Sequence, residues 1–458
     1  MSFPFTPTLK NFTFEGLIKT FRSTISYFPD FRKGAKQTKY TMEEAVLGAF
    51  SVFFTQSPSF LYHQRTMQEQ KGLSNAQTLF SMTKIPTDNW IRKLLDPIPP
   101  QQVFPVFSYV FEGLKETGQL EQFKNINGNL LIALDGLQYH SSQTIHCDNC
   151  SEKHHKNGEV TYSHSAITPV ILSPKSHTVI SLSPEFITPQ DGHKKQDCET
   201  AAAKRWIAQH AHSLKDLGVT ILGDDLYSRQ PFCELLLDEK LNFILVCKPQ
   251  SHQTLYEWVS SLETTQNINT LVIKDRKGKK TQTDSYRFVN EVPLRDGKKA
   301  LKVNWCELIT TDDFDRVIYQ NSFVTNHLIT QSNVADVVKA GRARWKIENE
   351  DNNTLKTKGY NLEHNFGHGK QYLSSLLMTF NLLAFLFHTL LEMMDSKYQL
   401  VRCKLPTRKT FFDDIRALMR YICFESWDEL LDFMIRGLEL ELELELNMPC
   451  KPPVPDTS

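Results

Sequence analysis

A change of texture at Asn129 sets the strongest limit on how this chain can fold. The runs NLLIALDGLQYHSS, VTYSHSAITPVILS and HTVISLSP follow one another, separated by turn-rich segments that include HCDNCSEKHHKNGE. Such runs bounded by turn residues predict three successive antiparallel strands. A helical stretch from Asp197 to Leu214, the apolar strand VTILGDDLY, a helix from Gln230 to Asp238 and the strand FILVCK come next. Three strands followed by alternating helix and strand make an α/β core with a mixed sheet. Residues 129–248 form the first part of that core.

Residues 249–331 break the alternation. Strand-like runs such as NTLVIKDR, SYRFVNEVPL, ALKVNWCELIT and RVIYQNSFVTNHLI, joined by KDRKGKK and RDGKK, predict a β-rich antiparallel insertion. Its basic turns suit phosphate contact, and they suit solvated hairpin tips equally well. The second part of the core, 332–396, opens on a helix near Asn333, an N-cap residue, with Asp336 in the first turn where the helix dipole favours an anion. Val334, Val338 and Trp345, with Gly341 between them, fall on one stripe. At about 100° per residue Glu348 lands beside that stripe and Glu350 opposite it. The uncharged run YLSSLLMTFNLLAFLFHTLLEMM is long enough to span a bilayer. Its Ser, Thr, Asn and His residues favour a helix buried in a large core.

Residues 1–128 are mostly helical, with apolar spacing in Met42–Phe54 and in Val103–Glu116. Between them, helix starts at Ser74 and at Thr87 or Asp88 flank Ile85-Pro86, with Lys84, Arg92 and Lys93 nearby. Two short helices around a turn are compatible with a DNA-reading helix-turn-helix and with a plain bundle. The C-terminal region 397–458 is helical and ends in an alternating Leu-Glu segment and a Pro-rich tail. Formal net charge is zero, yet Glu425–Leu446 holds eight acids and one base, so the rest is moderately basic. Nine scattered cysteines and an opening MSFPFTPTLK fit a reducing, cytoplasmic setting without a disulfide framework or signal peptide.

Three acids stand out by context. Asp135 ends LLIALDG, Asp224 ends VTILGD, and Glu348 lies on the core-facing side of a late helix. Carboxylates at strand ends and on an adjacent helix can converge at one sheet edge and bind hard cations such as Mg²⁺ through oxygen. Two such ions activate a hydroxyl and stabilise the leaving oxygen in phosphoryl transfer.

In this order LIALDG, ILGDDLY and RWKIENEDNNTLK resemble the catalytic blocks of DDE transposases from bacterial insertion sequences, specifically the insertion-sequence-four group. The similarity runs from about Thr41 to Met394 and includes GLSNAQTLFSMTKIPTDNWIR, KKQDCE and EHNFGHG. It implies an RNase H-like core in which Asp135, Asp224 and Glu348 hold two divalent metals, Mg²⁺ or Mn²⁺. It also implies cut-and-paste DNA cleavage and strand transfer, with double-stranded DNA as partner, a homodimer on DNA and a place in the nucleoid. A nuclease of the same fold without strand transfer and an inactive, transposase-derived DNA-binding protein are the rival readings. The chain departs from the group's pattern at Leu226, where Gly is expected, which leaves Asp225 as an alternative second acid. Gly341 stands where Tyr is expected, and Lys356 lies one residue beyond the expected Lys. Arg344 and Lys356 are the implied phosphate contacts, and Trp305 or Trp258 the implied base-stacking residue.

A second constellation is Cys147 and Cys150 with His154 and His164, flanked by His146 and His155. A Cys-x-x-Cys followed by His in a hairpin has the spacing of zinc ligands, and a zinc ion there would pin the hairpin beside Asp135. His364 and His368 form a further H-x-x-x-H. Gly367 and Gly369 argue against the helix such a metal pair needs and favour loop packing or DNA contact.

Overall fold

A computed structural model describes residues 12–32, 39–67, 74–189, 197–277, 280–405 and 407–440. Most of the Leu-Glu tail and half of KKQDCE therefore lie outside the described residues. Among the described residues six α-helices precede the first strand: α1 (Phe14–Ile25), α2 (Met42–Phe54), α3 (Phe60–Thr66), α4 (Asn75–Thr78), α5 (Asp88–Leu95) and α6 (Phe104–Glu116). A capping box starts α2, since the Thr41 side chain accepts from Glu44 N–H and Glu44 accepts from Thr41 N–H. Of the two readings of this region, a helix-turn-helix and a plain bundle, the described residues favour the bundle. The first helix of the pair, α4, is a single turn, and Asn75 at its start is buried, donating to the carbonyls of Met419 and Ile422 at 2.8 Å. A four-residue turn tied to the C-terminal helices cannot act as the scaffold of a DNA-reading pair.

The core follows as β1 (Leu130–Ala133), β2 (Gly136–Ser142), β3 (Ser151–His154), β4 (Val160–Ile167), β5 (Val170–Leu172), β6 (Ile180–Ser181), β7 (Glu185–Ile187), α7 (Glu199–Leu214), β8 (Val219–Gly223), α8 (Gln230–Asp238) and β9 (Asn242–Val246). Strands β6, β5 and β1 pair antiparallel, and β1, β8 and β9 pair parallel. This is the RNase H-like arrangement of a mixed α/β sheet. Every residue of β1 and β8 is buried, as strands covered on both faces require.

Two of the three long runs do not continue as single strands. The first breaks after Ala133 and the second around Thr168-Pro169, and their outer halves leave the core to build a second sheet of β2, β4, β3 and β7. Proline lacks the N–H a ladder needs, and Thr168 N–H instead donates to the Asp135 carbonyl at 3.1 Å. Asp135 thus sits in the corner where the chain passes from one sheet to the other.

After α9 (Gln253–Thr264), strands β10 (Asn269–Lys277), β11 (Lys280–Pro293), β12 (Lys302–Thr311) and β13 (Val317–Thr325) form the antiparallel insertion. It is continuous with the core, because β13 pairs antiparallel with β9 and makes one nine-stranded sheet. The chain then enters α10 (Val334–Arg342), a π-helical turn at Ile347–Asn352, α11 (Asn353–Thr357), α12 (Leu373–Met394), α13 (Ser396–Lys404), α14 (Arg408–Tyr421) and α15 (Trp427–Gly437). Helix α12 has the length and apolarity of a membrane span, but it is buried among α2, α5, α13 and β6, as a core helix is. One hydrophobic core runs from the N-terminal helices through α12 to α15. Among the described residues seven cysteines are free thiols, and Cys403 is disulfide-bonded.

Candidate active site

Strand register carries the geometry of the first two acids. Ala133 is level with Leu222 in the parallel pair β1–β8, and Leu134 N–H donates to the Leu222 carbonyl at 2.9 Å. Asp135 and Asp224 each lie two residues past that rung. They therefore stand side by side beyond the carboxyl ends of neighbouring strands, which run about 4.8 Å apart. Gly223 permits the turn there, because a Cβ would lie 2.8 Å from the Tyr227 ring.

Asp224 and Asp225 differ in their partners. Asp225 Oδ1 accepts from Lys248 N–H and from Ser251 Oγ, both at 2.6 Å, and sits 3.5 Å from His252, so it fastens the turn after β9. Asp224 accepts only the N–H of Leu226, at 2.8 Å, and its charge reaches Asp135. Asp224→Ala is expected to remove activity with little change in unfolding midpoint. Asp225→Ala is expected to cost about 1–3 kcal/mol, because the Lys248 amide and the Ser251 hydroxyl lose their acceptor. Parallel denaturation and DNA-cleavage assays of the two variants check this, and the reverse pattern would transfer the role to Asp225.

Glu348 reaches the same place by a route that helical phase did not predict. Helix α10 stops at Arg342, a turn at Ala343 and Arg344 breaks its phase, and a π-helical turn follows at Ile347–Asn352. Trp345, expected on the buried stripe, is consequently 43% exposed. Glu348 is 51% exposed, not core-facing as expected, yet its charge reaches Asp135, and it forms an ion pair with Arg344 at 2.7 Å, while Glu350 pairs with His177 at 2.9 Å. Lys346 holds the segment down by donating from Nζ to the carbonyls of Ser173 and Pro174 at 2.8 and 3.2 Å, and to that of Ser176.

Three further residues belong to the cluster and were not read from the sequence. Glu199, the first residue of α7, accepts from Tyr227 Oη at 2.7 Å, and its carboxylate occupies the space a side chain at 136 would need, 2.4 Å from an ideal Cβ on Gly136. Asn352 donates to Asp135 Oδ2 at 3.0 Å. Asp351 is fully buried, accepts from Ser181 Oγ at 3.2 Å, and has one oxygen without a partner. Their only sequence signal is acidity near the motifs, in DCE and in NEDNN.

This concentration of carboxylates sets the electrostatics. Burial pushes Asp135 up to about 7, with the charges of Glu199, Glu348 and Asp224 adding to the rise and Arg344 opposing it. Burial likewise pushes Asp351 up to about 7 against the Ser181 hydroxyl bond, with Asp135 adding to the rise. Burial also raises Glu199. Crowded carboxylates that resist ionisation are an oxygen-donor set suited to a hard divalent cation.

The expected DNA contacts divide. Arg344 is at the acid cluster with its side chain 19% exposed, and Lys356 pairs with Glu363 at 2.8 Å. Trp305 is fully buried between Tyr256 and Arg287 and cannot stack on a base, which corrects that expectation. Trp258, on α9, is 51% exposed. The Cys/His expectation also changes. Cys147, Cys150 and His164 do meet, but His154 lies on the exposed strand β3 beside Glu152, at 3.3 Å, and the fourth member is His368. Strand alternation explains the exclusion, because His154 heads the far end of β3, opposite Val160, whereas Ser151 at its other end is opposite Ser163, next to His164.

No family model and no curated protein matches the sequence. Among solved structures, the chain is similar to a piggyBac transposase in a synaptic complex with hairpin DNA. The two share 11% sequence identity with a TM-score of 0.40, over 98% of this chain and 86% of that one.

Proposed function

We propose that this protein is a DDE-type transposase that cleaves DNA at the ends of a mobile element and joins those ends to a target. The observation that supports this most directly is the register match that sets Asp135 beside Asp224, with Glu348 brought to the same corner of an RNase H-like sheet. The motif order in the sequence points the same way. Asp135, Asp224 and Glu348 would hold Mg²⁺ or Mn²⁺, with Glu199 as a further oxygen donor. The bound metal supplies charge stabilisation for an in-line displacement at phosphorus.

The chain's own residues do the rest. Asn352 fixes the orientation of the Asp135 carboxylate, and Tyr227 that of Glu199. Arg344 is close enough to Asp135 to lower its pKa, so its guanidinium is placed to take a DNA phosphate at the scissile position. Lys356, Trp258 and the basic turn at 295–299 would contact the flanking duplex, together with the helical region 1–128. Joining two element ends in one reaction calls for two such sites, hence a homodimer on DNA.

Incubating the protein with Mg²⁺ and DNA bearing the inverted repeats that flank its gene tests the reading. Cleaved ends joined to a target are expected. Cleavage without joined products would make the chain a nuclease, and binding that Asp135→Ala leaves intact, with no cleavage by either form, would make it a DNA-binding protein.

A further inference from the structure

We propose that Cys147, Cys150, His164 and His368 form a zinc site that fastens the hairpin after Asp135 to the segment after Glu348. The four side chains come from three separate parts of the chain. Cys147 and Cys150 lie in the loop between β2 and β3, His164 is on β4, and His368 is in the connection between α11 and α12.

The spacing fits one tetrahedral ion. Zinc bonds of about 2.3 Å to sulfur and about 2.05 Å to nitrogen, at tetrahedral angles, separate two sulfurs by roughly 3.8 Å and a sulfur from a nitrogen by roughly 3.6 Å. The sulfurs of Cys147 and Cys150 are 4.0 Å apart. His164 Nε2 lies 3.5 Å from Cys147 Sγ and 3.4 Å from Cys150 Sγ, and His368 Nε2 is 3.7 Å from Cys150 Sγ. These match four of the six edges of a coordination tetrahedron, all four ligand atoms lie within 4.8 Å of one another, and both cysteines are free.

Hydrogen bonding alone does not account for the cluster. Three of its members are buried, and His368 Nδ1 is a buried nitrogen with no partner, while its Nε2 meets only sulfur, a weak acceptor. Backbone amides are already turned toward the sulfurs, with Cys147 N–H donating to Cys150 Sγ at 3.4 Å. Such bonds favour thiolates, the form that binds metal. His140 packs against the His368 ring, with centroids 4.4 Å apart, and closes the site from one side. Asn149 Nδ2 donates to the Gln371 carbonyl at 2.7 Å, a second tie between the same two segments.

A sulfur and imidazole set selects zinc, whereas the acid cluster selects a hard cation, so the two sites take different metals. The zinc site is independent of the transposase reading. Its mechanical meaning is that β2 leaves directly from Asp135 and the His368 segment leaves from the helical turn carrying Glu348, so one ion clamps both arms.

The test is metal analysis of the full-length chain purified after zinc reconstitution. About one zinc per chain is expected, retained in His154→Asn and Asp135→Asn and reduced at least about fivefold in Cys150→Ser and His368→Asn. Cobalt(II) in place of zinc should give tetrahedral visible bands and a thiolate charge-transfer band. If the two loss variants do not fold, His368→Cys decides. Metal retained with the charge-transfer band raised about 1.5-fold, from two thiolates to three, supports the site. An unchanged band, a wild-type chain without zinc, or loss of zinc in His154→Asn overturns it.

Discussion

Asp135→Asn is expected to lower magnesium-dependent DNA cleavage by on the order of 10³-fold, about 4 kcal/mol of transition-state stabilisation. The same change should make the metal-free protein more stable. Asp135 holds its proton up to about pH 7 in the fold, whereas an unperturbed aspartate loses it near 3.8. A carboxyl with a raised folded pKa contributes stability that is fully present below the unfolded value and is lost as pH rises through the folded one. Metal-free wild type should therefore fall below Asp135→Asn progressively between about pH 4 and pH 7. Above that window the gap should settle at roughly 1–3 kcal/mol after allowance for partial solvent screening. An asparagine at 135 keeps an oxygen to accept the Asn352 bond, so orientation is preserved while charge is removed. Comparing the two proteins isolates this effect from buried histidines such as His63, which burial pushes down to about 3. Thermal melts across that pH range, with and without Mg²⁺, provide the check. A difference that does not grow with pH, or Mg²⁺ stabilising both proteins alike, would remove Asp135 from the metal site.

Gly341→Tyr is expected to cost on the order of 3 kcal/mol or more, and Gly341→Ala about 1–3 kcal/mol. Helix α10 lies directly on the sheet here, and a Cβ at 341 would come within 2.8 Å of the Phe323 ring and 2.9 Å of Ile244 Cγ2. Phe323 and Ile244 are themselves buried on β13 and β9. The glycine is thus a packing requirement, and it sets how closely the helix leading to Glu348 approaches the strands. Urea unfolding of the three proteins measures it. A tyrosine variant with an unshifted midpoint would show that α10 can lift off the sheet at little cost.

The mixed sheet, the insertion, the buried helix α12 and the strand-end placement of Asp135 and Asp224 were legible because each rests on a local pattern. An acid closing an apolar run marks a strand end, and strand ends in a parallel pair are neighbours. Glu199, Asp351 and His368 were illegible because their roles depend on which distant segments meet. His368 follows two glycines' worth of loop, and no periodicity ties it to a Cys-x-x-Cys far upstream. Helical phase misplaced Trp345 and Glu348, both expected on or beside the buried stripe and both exposed, since the chain leaves the helix at Ala343 and Arg344 in a way hydrophobic spacing does not announce. Trp305 was misassigned because exposure on a β-strand cannot be read from residue type alone.

Helix α12 also has a consequence for how the chain is made. Phe21 and Phe50 pack edge-on against Phe380 and Phe387 of α12, while Phe14 stacks on Trp427 of α15 and Phe54 meets the same ring edge-on. On a ribosome adding about 5–20 residues per second, the N-terminal helices emerge roughly 17–80 s before these partners exist. During that interval their aromatic faces are open to water and to other nascent chains, so synthesis of this protein carries a built-in demand for a holding chaperone.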